Sequence, residues 1–135
     1  MWKFAVYSGL RHGELAALAW EDVDLEKGIV NVRRNLTILD MFGPPKTNAG
    51  IRTVTLLQPA LEALKEQYKL TGHHRKSEIT FYHREYGRTE KQKLHFVFMP
   101  RVCNGKQKPY YSVSSLGARW NAAVKRAGIR RRNPV

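Results

Sequence analysis

Apolar residues fall at helical spacing in three separate stretches of this chain, and after the first of them the spacing switches to alternation. That pattern confines the fold to the α+β class, helices packed with a small sheet. From Trp2 to about Trp20, Phe4, Leu10, Leu15 and Leu18 with several alanines predict two helical pieces broken near Gly9, the second capped by Ser8. The acidic stretch EDVDLEKG then reads as a turn. IVNVRRN places Val30 and Val32 on one face of a short strand, Leu36 to Met41 is a second candidate strand, and IRTVTLL a third. Tight turns between them predict one small three-stranded antiparallel sheet. Helical spacing returns with Pro59 in a first turn and Leu61, Leu64, Lys65 and Tyr68 behind it, ended by Gly72. Residues 73–93 are strongly polar and read as a loop or partly helical excursion. LHFVFMP reads as a buried strand or extended segment. A last helix, capped by Ser114 or Ser115, carries Leu116, Trp120, Val124 and Ala127 and closes at Gly128.

At 135 residues the chain suits a single domain, 1–135, with no room for a second of ordinary size. Its 24 Lys and Arg against 11 Asp and Glu give a formal net charge of +13, which repels itself in a compact body and attracts a polyanion. A hydrophobic share of 42% sets it apart from a disordered basic tail, so the charge belongs to a folded surface and nucleic acid is the first partner to consider. No apolar run approaches the roughly 18 residues of a membrane span, and the opening MWKFAVYSGL lacks the features of a secretory leader; a soluble, cytoplasmic protein is expected, with no membrane partner. Cys103 is the single cysteine, so no internal disulfide forms, and no His or Cys pair stands at zinc-finger spacing. No metal is expected, and the adjacent His73 and His74 read as loop residues.

Two short segments carry the chemistry. In SGLRHGEL, residues 8–15, Arg11 and Glu14 would share one face of a helix over 10–18, where the carboxylate could hold the guanidinium as a prepared phosphate clamp. The same spacing equally describes a solvent-exposed ion pair. In PPKTNAGIRTVTL, Lys46 stands at a hairpin tip just before a strand bearing Arg52, a place from which a mobile ammonium can reach one atom of a ligand. Ordinary edge charges that discourage strand pairing fit those two residues as well. Arg119, Lys125, Arg126 and the run Arg130, Arg131, Arg132 are candidate phosphate contacts, with a solvated charged face as the other reading. Tyr82, Tyr86, Tyr110 and Tyr111 among basic residues suggest base stacking as one reading, but Trp120 and Phe96 have the spacing of core residues and most of the others read as core too.

Taken in order, GLRHGELAALAWEDVDL (9–25), KTNAGIRTVTL (46–56), FVFMP and YSVSSLGARWNAAVKRAGI resemble the catalytic domain of the tyrosine recombinases, the phage integrase family. The resemblance implies that family's mostly helical catalytic fold with a small sheet. It also implies site-specific recombination or integration of double-stranded DNA through a 3′-phosphotyrosine intermediate, with no metal and no nucleotide cofactor. On this resemblance Arg11 is a clamp arginine on the attacked phosphate and Glu14 supports it. Lys46 is the general acid for the departing 5′-oxygen. Thr47 and Arg52 shape the hairpin or touch the DNA backbone. A parent from a phage or another mobile bacterial element, working near the nucleoid and self-associating on DNA, is implied too.

The family's later signature, His-x-x-Arg and then the nucleophilic Tyr, has no match here. The third residues after His12, His73, His74, His83 and His95 are Leu15, Lys76, Ser77, Tyr86 and Phe98, and no tyrosine follows Tyr111. The expectation is therefore an incomplete catalytic domain, without the family's core-binding domain and C-terminal catalytic segment, unable alone to form the covalent intermediate. A noncatalytic basic module that binds DNA or RNA is the alternative.

Overall fold

The computed structural model describes residues 1–100 and 108–128. Helix α1 (Trp2–Ser8) ends where Gly9 takes φ 69°, a left-handed cap that costs glycine nothing and reverses the chain. A one-and-a-half-turn helix, α2 (His12–Ala16), follows; Ser8 is the last residue of α1, and the cap position of α2 falls to Arg11. The break near Gly9 is thus as the sequence predicts and the capping residue is not.

The three-stranded antiparallel sheet is present, with one unexpected member. Its order is β1 (Val23–Asp24), β2 (Ile29–Val32), β5 (Arg52–Thr55). The acidic turn closes the β1–β2 hairpin, with Asp24 Oδ1 accepting from the backbone N–H of Glu26 and Lys27 at 3.0 and 2.9 Å. Residues 36–41 do not join this sheet. They turn back on themselves between β3 (Asn35–Leu36) and β4 (Phe42–Gly43), because Asp40 adopts φ 65° and Thr37 accepts the amide of Met41 through its hydroxyl. An aspartate tolerates that left-handed backbone where a β-branched residue would not.

β3 and β4 belong to a second, four-stranded sheet of order β3-β4-β6-β7, which the polarity of residues 73–93 conceals. β6 (Ser77–Tyr82) and β7 (Thr89–Leu94) form a six-pair antiparallel hairpin, and β6 runs parallel to β4 through Phe42↔Phe81. The stretch expected as a loop is therefore mostly strand: β6 buries only Ile79 and Phe81, and β7 only Leu94.

α3 (Gln58–Thr71) carries Pro59 in its first turn and is capped by Gly72, as its spacing predicts. α4 (Val113–Arg126) begins two or three residues earlier than expected, capped by Ser112, whose hydroxyl accepts the Ser115 amide at 3.1 Å, and Gly128 at φ 67° follows its end. Between the sheets and helices, residues 95–98 pass through the core without forming a ladder strand. A single bridge, Ala19↔Phe96, ties them to the segment after α2, while Thr71 and Gln67 of α3 donate side-chain bonds to the Val97 carbonyl. Phe4, Leu15, Val30, Leu36, Leu64, Phe96, Val97 and Leu116 make the fully enclosed centre. That core fixes α2 between β3 and α4, which brings the first motif against the second.

Candidate active site

The site is built around a buried carboxylate. Glu14, 4% exposed, sits at the third position of α2, and its Oε2 accepts the backbone N–H of Arg11 at 3.0 Å. A carboxylate at this place satisfies one of the helix's orphan amides and fixes how the chain enters it. It does not hold the Arg11 guanidinium. Arg11 precedes the helix with extended backbone (φ −74°, ψ 160°), so the shared helical face predicted by the i, i+3 spacing does not exist. The partner of Glu14 is Arg52 on β5, which donates from both terminal nitrogens, at 3.0 and 3.1 Å, in the fork geometry of a guanidinium on a carboxylate. Hydrogen bonding to Glu14 raises the Arg52 pKa above its ordinary value, so it stays charged.

Arg52 also donates to the Gly50 carbonyl at 3.0 Å, reaching the segment that bears Lys46. Lys46 is not at the tip of a tight hairpin. It stands on a crossover from β4 in one sheet to β5 in the other, within the long connection, residues 33–51, between the paired strands β2 and β5. A one-turn 3-10 helix, Asn48–Gly50, shapes this crossover, with the Gly50 amide donating to the Thr47 carbonyl at 3.0 Å. Arg11, Lys46 and Thr47 are exposed, and among the described residues neither Arg11 nor Lys46 has an ion-pair partner. One unbroken set of bonds therefore runs from the Arg11 amide through Glu14 and Arg52 to Gly50, with a cation available at each end.

Gly13 lets α2 come this close. A Cβ there would lie 2.2 Å from Asn35 Oδ1 and 2.5 Å from the Leu36 carbonyl, so the helix backbone rests directly on β3. A second buried carboxylate repeats the arrangement of Glu14 and has no signature in the sequence. Asp22, 3% exposed, accepts the Ala19 amide at 3.2 Å and pairs with the buried Arg34, while Arg33 stands 4.0 Å off. Arg34, just past β2, is thus a buried residue.

The remaining candidates divide. Arg119, Lys125 and Arg126 lie exposed on α4, with the Arg119 guanidinium 5.1 Å over the Tyr111 ring. Arg130, Arg131, Arg132 and Cys103 lie outside the described residues. Tyr110 packs on Phe42 and Phe96, and Trp120 on Trp2, whereas Tyr82 and Tyr86 are exposed. Just past the end of α3, the His74 ring Nε2 lies 2.9 Å from the Leu70 carbonyl oxygen. Among the described residues no helix is long and apolar enough to cross a membrane.

The model of the phage integrase family matches residues 1–134: the chain belongs to that family. It is 99% identical over 134 residues to the prophage integrase IntR of Escherichia coli (strain K12), covering 99% of this chain and 33% of that protein. It is 33% identical over 122 residues to a tyrosine recombinase XerC-like protein of Caldanaerobacter subterraneus subsp. tengcongensis, covering 82% of this chain and 26% of that one. The chain thus spans about a third or less of these relatives. In fold it resembles the XerA recombinase, with a TM-score of 0.62 at 20% identity over 96% of this chain and 35% of that one. It resembles equally the Tn1549 transposon integrase, solved in complex with circular intermediate DNA, with a TM-score of 0.62 at 22% identity over 98% of this chain and 39% of that one.

Proposed function

We propose that this chain is the phosphate-activating part of a tyrosine recombinase catalytic domain, which breaks and rejoins double-stranded DNA in site-specific recombination. In the reaction, a tyrosine oxygen forms a bond to phosphorus as the bond to the 5′-oxygen breaks, and the 5′-oxygen takes up a proton. Charge gathers on the two nonbridging oxygens, so the catalytic gain comes from donors already in place when it develops. Arg11 is the donor to those oxygens and Lys46 the acid that protonates the 5′-oxygen. Glu14 is a positioning residue: it acts on Arg11 through the backbone amide and on the Lys46 crossover through Arg52. Arg52 is then a tie within the site more than a contact to DNA. Thr47 shapes the crossover, and Arg119, Lys125 and Arg126 on α4 meet backbone phosphates, with Arg130, Arg131 and Arg132 as further candidates.

The single observation that carries the reading is the Glu14–Arg52 fork, which fixes the Arg11 turn and the Lys46 crossover to each other across 38 residues of chain. The net charge of +13 and the DNA complex of the Tn1549 relative support duplex DNA as the partner. Self-association on DNA and work in the bacterial cytoplasm follow from the same reading. The tyrosine nucleophile and the His-x-x-Arg groups belong to sequence that these 135 residues do not contain.

The test uses the longer prophage integrase carrying this chain's sequence over the shared segment. Arg11→Ala is expected to abolish covalent trapping on a nicked DNA substrate while keeping most DNA affinity, because a clamp donor is worth about 3–4 kcal/mol in the transition state and is one phosphate contact among several in the ground state. Equal losses of trapping and affinity would instead establish the noncatalytic binding module.

A further inference from the structure

The Lys46 crossover is held from two sides, and the second hold comes from a residue that the reaction as described does not use. Arg84, in the turn between β6 and β7, donates from Nη2 to the Pro45 carbonyl at 2.6 Å and from Nη1 to Asn48 Oδ1 at 2.8 Å. These acceptors bracket Lys46 and Thr47 on either side. The placement follows from strand register. β4 and β6 are parallel and paired at Phe42↔Phe81, so both chains leave the sheet in the same direction, and Arg84, three residues beyond Phe81, arrives beside Pro45, three beyond Phe42. The close approach of the two strands is visible at Gly43, where a Cβ would lie 3.0 Å from the Tyr82 carbonyl.

The turn that presents Arg84 is itself fixed. His83 donates its amide to the Arg88 carbonyl at 2.9 Å, Arg88 to that of Glu85 at 3.1 Å, and Gly87 takes φ 77°. The neighbouring charges are engaged with one another, Arg88 with Glu85 and His83 with Glu90, whereas Arg84 has no carboxylate partner among the described residues. Its two terminal nitrogens both go to the crossover. On the other side of that crossover Gly50 packs on Pro45, with a notional Cβ only 2.5 Å from Pro45 Cβ, and Arg52 holds the Gly50 carbonyl.

We infer that Arg84 is a positioning residue for Lys46, setting the ammonium where the departing 5′-oxygen will be. The inference rests on the reading of Lys46 as the general acid. An ammonium on a four-carbon stem is a mobile donor, and proton transfer needs it within hydrogen-bond reach of one atom. Fixing the backbone at both flanks of Lys46 narrows the volume its Nζ can search. A guanidinium meets the carbonyl and the side-chain amide oxygen from two separate nitrogens of a rigid fork; a lysine in its place keeps the charge but brings a single nitrogen on a flexible stem.

The experiment compares two DNA substrates in the longer prophage integrase that carries this chain's sequence over the shared segment. One has the ordinary 5′-oxygen at the scissile phosphate and the other has sulfur bridging at that position. A departing thiolate is a weak base that leaves without a proton, so a defect in general acid catalysis disappears on the sulfur substrate and any other defect remains. Arg84→Ala is expected to slow cleavage of the ordinary substrate by roughly 10- to 100-fold, the upper figure being what a displacement of about 1 Å costs. On the sulfur substrate it should cleave within about threefold of the parent, as Lys46→Ala should, since only the proton-transfer contribution is bypassed. Arg84→Lys should behave as Arg84→Ala does.

Rescue of Lys46→Ala without rescue of Arg84→Ala overturns the inference and leaves Lys46 as the acid. Failure to rescue Lys46→Ala overturns the reading of Lys46 itself. A loss of DNA affinity in Arg84→Ala equal to its loss of cleavage makes Arg84 a phosphate contact and also overturns the inference. Thermal unfolding of each variant checks the fold. Should Arg84→Ala not fold, Asn48→Ala removes one of the two bonds from the crossover side, and the same partial, sulfur-rescued defect is required of it.

Discussion

Glu14 and Arg52 face each other through two hydrogen bonds of 3.0 and 3.1 Å, although 38 residues separate them, and the same carboxylate takes the Arg11 amide. Because Glu14 is buried and Arg52 is 35% exposed, the pair is an inner carboxylate reached by a cation from the solvent side. Solvent screening limits its worth. Glu14→Gln is expected to destabilise the chain by about 1–2 kcal/mol, the range for a hydrogen bond to a charged group reduced for exposure. Arg52→Ala should cost more, since it strands a buried carboxylate. Urea unfolding of the two single variants and the double variant checks this: additive effects, with no coupling of at least about 0.5 kcal/mol, would rule the pair out as an energetic unit.

Gly13 and Gly117 should respond to alanine in opposite directions. At Gly13 a methyl group meets Asn35 Oδ1 and the Leu36 backbone, so Gly13→Ala is expected to cost about 1–3 kcal/mol by overpacking and to lift α2 from β3. At Gly117, inside α4, nothing lies within 4 Å of the added Cβ, so Gly117→Ala should stabilise by about 0.5–1 kcal/mol through helix propensity. Melting temperatures of the two variants decide the matter, and a lower value for Gly117→Ala would refute the second half.

The Asp22 carboxyl has an acid signature. Burial raises its pKa above the ordinary 3.8, while Arg34, the Ala19 amide and Arg33 pull it down. With burial dominant, the folded chain holds this proton more tightly than the unfolded one. The stability linked to that proton is then fully present below 3.8 and is lost as pH rises through the raised folded value. Asp22→Asn removes the titration. The stability of the parent minus that of the variant, from urea midpoints measured from below 3.8 up to neutrality, is therefore expected to fall as pH rises. A difference that grows toward neutral pH would mean that the Arg34 charge outweighs burial.

On the DNA side, the α4 cations should act as register contacts rather than base readers. Each of Arg119→Ala, Lys125→Ala and Arg126→Ala is expected to weaken duplex binding alike for all sequences and to reduce the slope of log affinity against log salt by about 0.9. An unchanged slope would place that residue on a solvated face.

What the sequence made legible followed local rules. Pro59, Gly72 and the Leu61-Leu64-Tyr68 spacing mark α3 because caps and periodicity act within one helix. Gly9 and Gly128 mark breaks because only glycine adopts their backbone freely. β7 was hidden because an edge strand over a small core needs one apolar residue, Leu94, and is otherwise indistinguishable from a polar loop. At the site, the residue types and their order were readable, but the partner of Glu14 was not. Spacing suggests the neighbour three residues away, whereas the fold supplies Arg52 from another strand and places Arg11 outside the helix. Nor does the sequence reveal that Arg34 is buried, which depends on Asp22 arriving beneath it.

The connection between β2 and β5 leaves the three-stranded sheet, contributes β3 and β4 to the four-stranded one, and returns. Neither sheet can be completed by a contiguous length of chain. Pulling β4 from β6 slackens the strap that joins β2 to β5, and parting β2 from β5 frees the ends that hold β3 and β4 in register. The two sheets should accordingly open as one cooperative unit, with their backbone amides losing protection against hydrogen exchange together, and the exposed crossover that bears Lys46 is anchored at both ends in that unit.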